Sequence, residues 1–340
     1  MRVLAQNMEL LTRIDQGALG RPGQTEPTGL LATARWGLLQ PLRMLRAAAH
    51  WCRRNTRAGS KRNIAAHYDL SNEFFSLMLD PTMTYSSGIF DRPGMTLEQA
   101  SIEKYDRICR RIDLRPGDHL LEIGTGWGGF AEHAVRNYGC RVTTTTISEE
   151  QYAYAAQRFR AAGIGRRINL LRQDYRDLSG TFDKLVSIEM IEAVGESFLP
   201  GYFEKCSRLL KPDGLFCLQA ITIPDHRYAS YRRSVDFIQQ YIFPGGFLPS
   251  VGAIARCVGD RTDFRFLQLE DFGPDYAETL ARWRHNFWRE IPKVKALGFD
   301  KRFIRTWHYY LCYCEAGFHE RQIGVAQILL SKPAFRAGGR

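Results

Sequence analysis

The chain is expected to fold as an α/β protein on a doubly wound, mainly parallel, seven-stranded sheet. Two observations carry that expectation. Short apolar runs alternate with helix-length amphipathic segments between residues 119 and 221, an order that lays strands side by side with helices on both faces. The first run, Leu120-Leu121-Glu122-Ile123, empties into Gly124-Thr125-Gly126-Trp127-Gly128-Gly129 and then a helix. A strand, a glycine turn and a helix in that order make the ligand-binding opening of a doubly wound sheet.

The elements follow in order. Residues 1–28 carry Gly, Pro, Gln and Thr with little periodicity and read as a loose lead-in. Between Leu30 and Arg62, Trp36, Leu38, Leu42, Leu45 and Trp51 accompany eight basic residues, with no Asp or Glu between Pro27 and Tyr68. Residues 1–62 are therefore expected to form a basic, amphipathic, helical extension. Its tryptophans and cations suit an anionic membrane surface; a helix packed on the core with a solvated basic face is the other reading. Residues 63–333 form the main domain. Ser71 is placed to cap a short helix that Leu79-Asp80-Pro81 closes, residues 83–90 form a loop or short strand, and Leu97–Ile112 form a helix. Strands are expected at 119–123, 140–146, 168–172, 183–188 and 215–221, with helices at 129–138, 149–162 (capped by Ser148) and 198–210 and a loop at 174–180. Residues 222–250 interrupt the alternation with Tyr228, Tyr231, Phe237, Tyr241, Phe243 and Phe247 beside Arg227, Arg232 and Arg233. That insertion is expected to be a lid over an apolar substrate with an anionic head, or a helical cover for the sheet edge. Residues 280–316 are helical and aromatic, a strand over 324–330 closes the sheet, and residues 334–340 are a loose tail.

Charge and cysteines narrow the function. Net charge is +11 and 44% of the residues are hydrophobic, which allows a full core and points to an anionic partner. The eight cysteines are scattered, and Cys312-x-Cys314 is too tight for zinc spacing, so reduced thiols and no metal are expected. No apolar run reaches the roughly 18 residues of a spanning helix, so the expectation is a cytoplasmic protein, peripheral on the inner face of the membrane. In a dinucleotide fold the second strand would end on a ribose-binding acid. Here it ends in Thr146-Ile147-Ser148. The glycine run behind hydrophobic-Glu instead resembles the pattern of S-adenosylmethionine-dependent methyltransferases.

Several further segments align in register with one family. They are His67–Asn72, Met83-Thr84-Tyr85-Ser86-Ser87, Glu122–Gly129, Thr146-Ile147-Ser148-x-x-Gln151, Glu189–Gly195, Tyr241–Gly246, and Tyr309-Tyr310-x-x-Tyr313-Cys314-x-Ala316-Gly317-Phe318. Together they resemble the cyclopropane-fatty-acyl-phospholipid synthases and the mycolic acid cyclopropane synthases, over about residues 62–333. The resemblance implies a Rossmann-like class I methyltransferase fold and a methyl donated by S-adenosylmethionine to a cis double bond of an acyl chain. Proton removal then closes a methylene ring. It implies cofactor contacts from Tyr85, Ser86, Glu122, Gly124, Gly126, Trp127, Gly128, Thr146, Ile147, Gln151, Tyr175 and Arg176. It also implies a bicarbonate base held by Glu192, Ile221 and Tyr276. Ser87 and Gln219 stand where the family commonly has cysteine and histidine, and Ala193 where histidine often follows the glutamate. Ser and Gln can still donate hydrogen bonds to such an anion. Cys314 matches a cysteine associated with activity, although the burial habit of free cysteine makes a core thiol the simpler reading. Glu189 and Glu192, three apart at a strand exit, place at least one carboxylate on the cleft.

The expected activity is cyclopropane formation on unsaturated phospholipid acyl chains at an anionic membrane surface, with a homodimer as one option for the assembly. Alternatives are a methylene- or methyl-branched product, an amine N-methyltransferase, and a catalytically silent membrane-surface protein. Nucleic acid is not an expected partner. No RNA-binding module is visible, and Glu189-Met190-Ile191-Glu192 stands where an amine-positioning tetrad would follow strand four.

Overall fold

The computed structural model describes residues 55, 56, 59 and 70–336. The expected helix within 1–62 and the opening of the His67–Asn72 motif lie outside them. Seven strands form one sheet: β1 (His119–Ile123), β2 (Arg141–Thr146), β3 (Ile168–Arg172), β4 (Phe182–Ile188), β5 (Leu210–Thr222), β6 (Arg265–Asp271) and β7 (Gly324–Ser331). Their order is β3-β2-β1-β4-β5-β7-β6. The first five pair in parallel, and β7 runs antiparallel to both β5 and β6. The chain starts at the centre, winds outward to β3, then returns to β4 on the other side of β1. That reversal leaves a crevice at the carboxyl ends of β1 and β4, where the connections part in opposite directions.

Helices α1 (Asn72–Ser76), α2 (Leu97–Arg111), α3 (Gly129–Tyr138), α4 (Glu149–Ala161) and α5 (Leu199–Leu209) precede the insertion. The caps read from the sequence form: Ser71 Oγ accepts from Phe74 N and Ser148 Oγ from Gln151 N. One core cluster, with Ile108, Phe130, Val135 and Phe159, packs α2, α3 and α4 on one sheet face. On the opposite face α5 and α7 (Val251–Arg261) supply Tyr202, Phe203, Ile254 and Val258. A third cluster is dominated by rings. It joins α1 to α8 (Gly273–Arg289) and α10 (Lys301–His319) through Phe74, Phe75, Trp283, Phe287 and Trp307. Each such buried ring contributes about 1.5–3 kcal/mol of apolar burial, so this cluster makes a rigid wall beside the crevice. The insertion holds α6 (Asp225–Tyr231) and a short π-helical turn, Ile238–Ile242, and α9 (Ile291–Ala296) links α8 to α10.

One expectation needs correction, and two elements were not expected. The strand over 324–330 does not close the sheet, because β7 lies between β5 and β6. The edge is β6, which the sequence reading did not locate. Its Arg265-Phe266-Leu267-Gln268-Leu269-Glu270-Asp271 run lacks a clean period of two and is exposed along almost its whole length. An edge strand with one uncovered face carries a weak hydrophobic pattern, and its charged residues discourage further pairing. Helix α7 was likewise not anticipated; Ser250 Oγ caps it by accepting from Ala253 N. Among the described residues no helix is long and apolar enough to cross a membrane.

Candidate active site

The glycine turn leaves β1 with Gly124, Gly126 and Gly128 at φ values of 104°, 52° and 86°, a region in which a side chain is strained. Gly124 N and Thr125 N both donate to Thr145 O, which folds the turn back over β2. A Cβ on Gly126 would meet nothing within 4 Å, and this residue opens on a cavity of about 490 Å³. Gly128 does not reach that cavity. Its missing Cβ would stand 2.8 Å from the Phe159 ring, so glycine here lets α3 settle against α4. Of the expected cofactor contacts it is the one that serves packing.

The other expected cofactor residues line the cavity: Tyr85, Ser86, Glu122, Gly124, Trp127, Thr146, Ile147, Gln151, Tyr175 and Arg176. Glu122 is buried at the strand end, accepts from Thr144 Oγ1 at 2.5 Å, and is pushed up to about 8 by burial. Thr146 ends β2, and its hydroxyl donates to Gln151 Oε1 at 2.9 Å, tying the strand tip to the first turn of α4. Asp174 caps the turn after β3 and takes Arg176 in a two-point ion pair, Nε at 2.8 Å and Nη2 at 2.6 Å. Arg176 also donates to Asn55 O at 3.2 Å. Trp127 Nε1 donates to Asn72 Oδ1 at 2.6 Å, and its ring packs on Phe75. These walls suit S-adenosylmethionine. The side-chain-free Gly126 gives room for a ligand against the backbone, and the carboxylates Glu122 and Asp174 and the ring of Tyr175 offer partners for amino, hydroxyl and base groups.

The same cavity continues past the strand ends to two carboxylates. Glu189 follows β4 at φ 48°, a left-handed conformation that costs a non-glycine residue about 1–3 kcal/mol. Three donors from distant segments hold it. Ser87 N (3.0 Å) and Gln219 Nε2 (2.8 Å) reach Oε1, and Tyr276 OH (2.7 Å) reaches Oε2. Burial raises the Glu189 carboxyl, and the charge of Lys104 followed by these hydrogen bonds opposes the rise. Glu192, the second carboxylate, accepts from Ile221 N at 2.6 Å through Oε1, while its buried Oε2 has no hydrogen-bond partner among the described residues. Burial and then the charge of Glu189 push Glu192 up to about 8. Ser87 and Gln219 do not line the cavity; both stand behind Glu189, and the Ser87 hydroxyl donates to Gly88 O. Gln219, Tyr276 and Ile221 N therefore already face carboxylates of the chain, and Ser87 does so through its backbone N rather than its hydroxyl.

Beyond the carboxylates the walls are rings. Tyr276 stacks on Phe318 at 4.4 Å, Tyr85 OH meets Tyr310 OH at 3.0 Å, and Tyr85 lies 5.1 Å from Trp283. The insertion contributes Tyr231, Phe243 and Phe247 to the wall of this end. Of its basic residues, Arg227 faces the cavity and donates to Gln322. Cys314 also lines the cavity, and burial raises its thiol. Two buried groups escaped the sequence reading. Lys104, fully buried on α2, donates to Ser86 Oγ at 2.5 Å and is lowered to about 8 by burial. Asp236 lines the cavity inside the insertion, its carboxyl raised by burial. A lysine on the mainly apolar buried face of α2, beside Leu97, Ala100, Ile108 and Cys109, was the available signal for the first.

Comparison with known proteins agrees with this geometry. The family model described as mycolic acid cyclopropane synthetase matches residues 55–328. The tuberculostearic acid methyltransferase UfaA1 of Mycobacterium tuberculosis is 43% identical over 280 residues, 80% of this chain and 65% of the relative. The cyclopropane-fatty-acyl-phospholipid synthase of Escherichia coli is 38% identical over 269 residues, 78% of this chain and 66% of the relative. This chain thus spans about two thirds of the length of those relatives. Among solved structures, the cyclopropane synthase MmaA2 from Mycobacterium tuberculosis superposes with a TM-score of 0.75 at 30% identity, covering 80% of this chain and 98% of that one. The mycolic acid cyclopropane synthase CmaA1 complexed with SAH and CTAB gives 0.75 at 32% identity, with the same coverage. The glycine turn, the carboxylate-lined crevice and these matches converge: the chain belongs to the mycolic acid cyclopropane synthetase family of S-adenosylmethionine-dependent methyltransferases.

Proposed function

We propose that the chain is a C-methyltransferase that adds a methylene across a cis double bond of an unsaturated phospholipid acyl chain. The observation that supports it most is the continuity of one cavity from the glycine turn, past the half-buried Glu189 and Glu192, into a ring-walled end. An alkene is a weak nucleophile, so it must be held in line against the donor with water excluded. When bound, S-adenosylmethionine supplies an electrophilic methyl group. Gly124, Gly126, Trp127 and Glu122, with Thr146, Gln151, Tyr175 and Arg176, line the cavity and would hold the donor. Tyr85, Tyr276, Tyr310 and Phe318 present π faces, which stabilise positive charge developing on the acyl chain and shut out water that would quench it. The name of the Escherichia coli relative supports phospholipid as the lipid class. The basic segment within residues 30–62 supports peripheral binding to an anionic membrane.

A second reading leaves the transferred methyl as a branch. It is favoured by the name of the 43% identical relative, a tuberculostearic acid methyltransferase. One experiment tests both: purified protein, methyl-labelled S-adenosylmethionine and vesicles of a monounsaturated anionic phospholipid, with the released fatty acids analysed by gas chromatography and mass spectrometry. Label in a ring supports the first reading and label in a branch the second. Unlabelled lipid sinks both.

A further inference from the structure

The geometry points to Glu189 as a resident carboxylate base that takes the place of the free bicarbonate expected from the resemblance. The inference rests on the ring-forming reading above. Ser87 N, Gln219 Nε2 and Tyr276 OH converge on Glu189, and Ile221 N is taken by Glu192. A bicarbonate would have to displace one of these side chains from its donors or share the space with both, and a second anion beside Glu189 in a water-poor site is strongly disfavoured.

The support behind Glu189 is built to keep it in one pose. Gln219 could present either end of its amide, but Gln327 Nε2 donates to Gln219 Oε1 at 3.0 Å and Arg111 Nη1 donates to Gln327 Oε1 at 2.8 Å. That relay turns the Gln219 amide nitrogen toward Glu189. The buried Lys104 adds a positive charge that favours the Glu189 carboxylate. Oε1 takes two of the three donors, whereas Oε2 takes one and keeps a lone pair, and Glu189 lines the cavity.

The chemical step balances without an added anion. Once the methyl carbon has bonded to one alkene carbon, the neighbouring carbon carries a positive charge. Glu189 Oε2 takes a proton from the transferred methyl. The C–H electron pair becomes the bond that closes the ring and cancels the charge, leaving Glu189 as a neutral acid that returns its proton to solvent.

The left-handed backbone at Glu189 suggests the variant, because glycine takes φ 48° without strain. In buffer stripped of carbon dioxide, the unmodified chain is expected to turn over at its full rate, with no gain from added bicarbonate. Glu189→Gly is expected to lose roughly a hundredfold or more in turnover and to regain much of it with bicarbonate, because the three donors are then exposed around an anion-sized gap. Glu189→Gln, which fills the gap with an amide, is expected to stay inactive under both conditions. The inference is overturned if the unmodified chain needs bicarbonate, or if Glu189→Gln retains full turnover. Carbon-13 bicarbonate line broadening gives a second readout that needs no reaction. Broadening is expected with Glu189→Gly and not with the unmodified chain, and broadening by the unmodified chain would also overturn it. If no lipid is modified by the unmodified chain, the methyl-transfer reading fails, while the bicarbonate-binding comparison still judges Glu189.

Discussion

Replacing Glu192 with glutamine tests the electrostatics of the crevice most directly. Glu192 sits where burial, and then the charge of Glu189, push its carboxyl from an ordinary 4.5 up to about 8. A carboxyl whose folded-state pKa is raised contributes its full stability below the unfolded pKa and loses it as pH rises through the folded one. Glutamine does not titrate. The stability of Glu192→Gln relative to the unmodified chain should therefore climb from about pH 4.5 and level off above about pH 8. At about 1.4 kcal/mol per pH unit, the relative gain reaches about 3 kcal/mol at neutral pH and about 5 kcal/mol at the plateau, both upper values. Gln Oε1 can still accept from Ile221 N, whereas the new amide nitrogen replaces an oxygen that already lacks a partner. The cost of burying that nitrogen is independent of pH, so the slope is the test. Urea unfolding of both proteins across the range from about pH 5 to about pH 8 reads it. A difference flat to within about 1 kcal/mol would refute the placement of Glu192 in a water-poor pocket beside a second carboxylate. Turnover should fall roughly a hundredfold in the same variant, since a residue kept at a cost to stability is expected where function needs it.

Two other changes separate neighbouring effects. Gly128→Ala should destabilise the fold by about 2–4 kcal/mol, through the Phe159 contact and the positive φ, and leave the affinity of the folded protein for S-adenosylmethionine nearly intact. Gly126→Ala should cost only about 1–2 kcal/mol but weaken cofactor binding measured by calorimetry, because its methyl would project into the cavity. The reverse pattern would count against the assignment of this turn. Lys104→Met probes the buried cation, which burial lowers from 10.5 to about 8. A base with a depressed folded pKa contributes stability that is present above 10.5 and lost as pH falls through about 8. Across that interval the unmodified chain should lose about 3 kcal/mol relative to the variant. Parallel pH profiles for the two proteins would exclude a desolvated ammonium at this position.

What the sequence determined by itself is the part encoded by near neighbours. The strand, glycine turn and helix at 119–138 and the caps at Ser71 and Ser148 depend on periodicity, capping chemistry and turn residues, and all are written within a few positions of where they act. The residues that the family motifs single out for the cofactor, Gly128 excepted, line one cavity, together with others such as Asp174, Gln173 and Thr145 that the motifs did not name. The tertiary structure decided the rest. An exposed edge strand, β6, and the interior place of β7 follow from pairings that no local period announces. The partners of Glu189 come from Ser87, Gln219 and Tyr276, which are 102, 30 and 87 residues away. Residue identities alone offered four donors and left their target open, and an outside anion satisfied them as well as a side chain would. Only folding, which carries a strained left-handed residue to the end of β4, shows that the chain brings its own carboxylate to them.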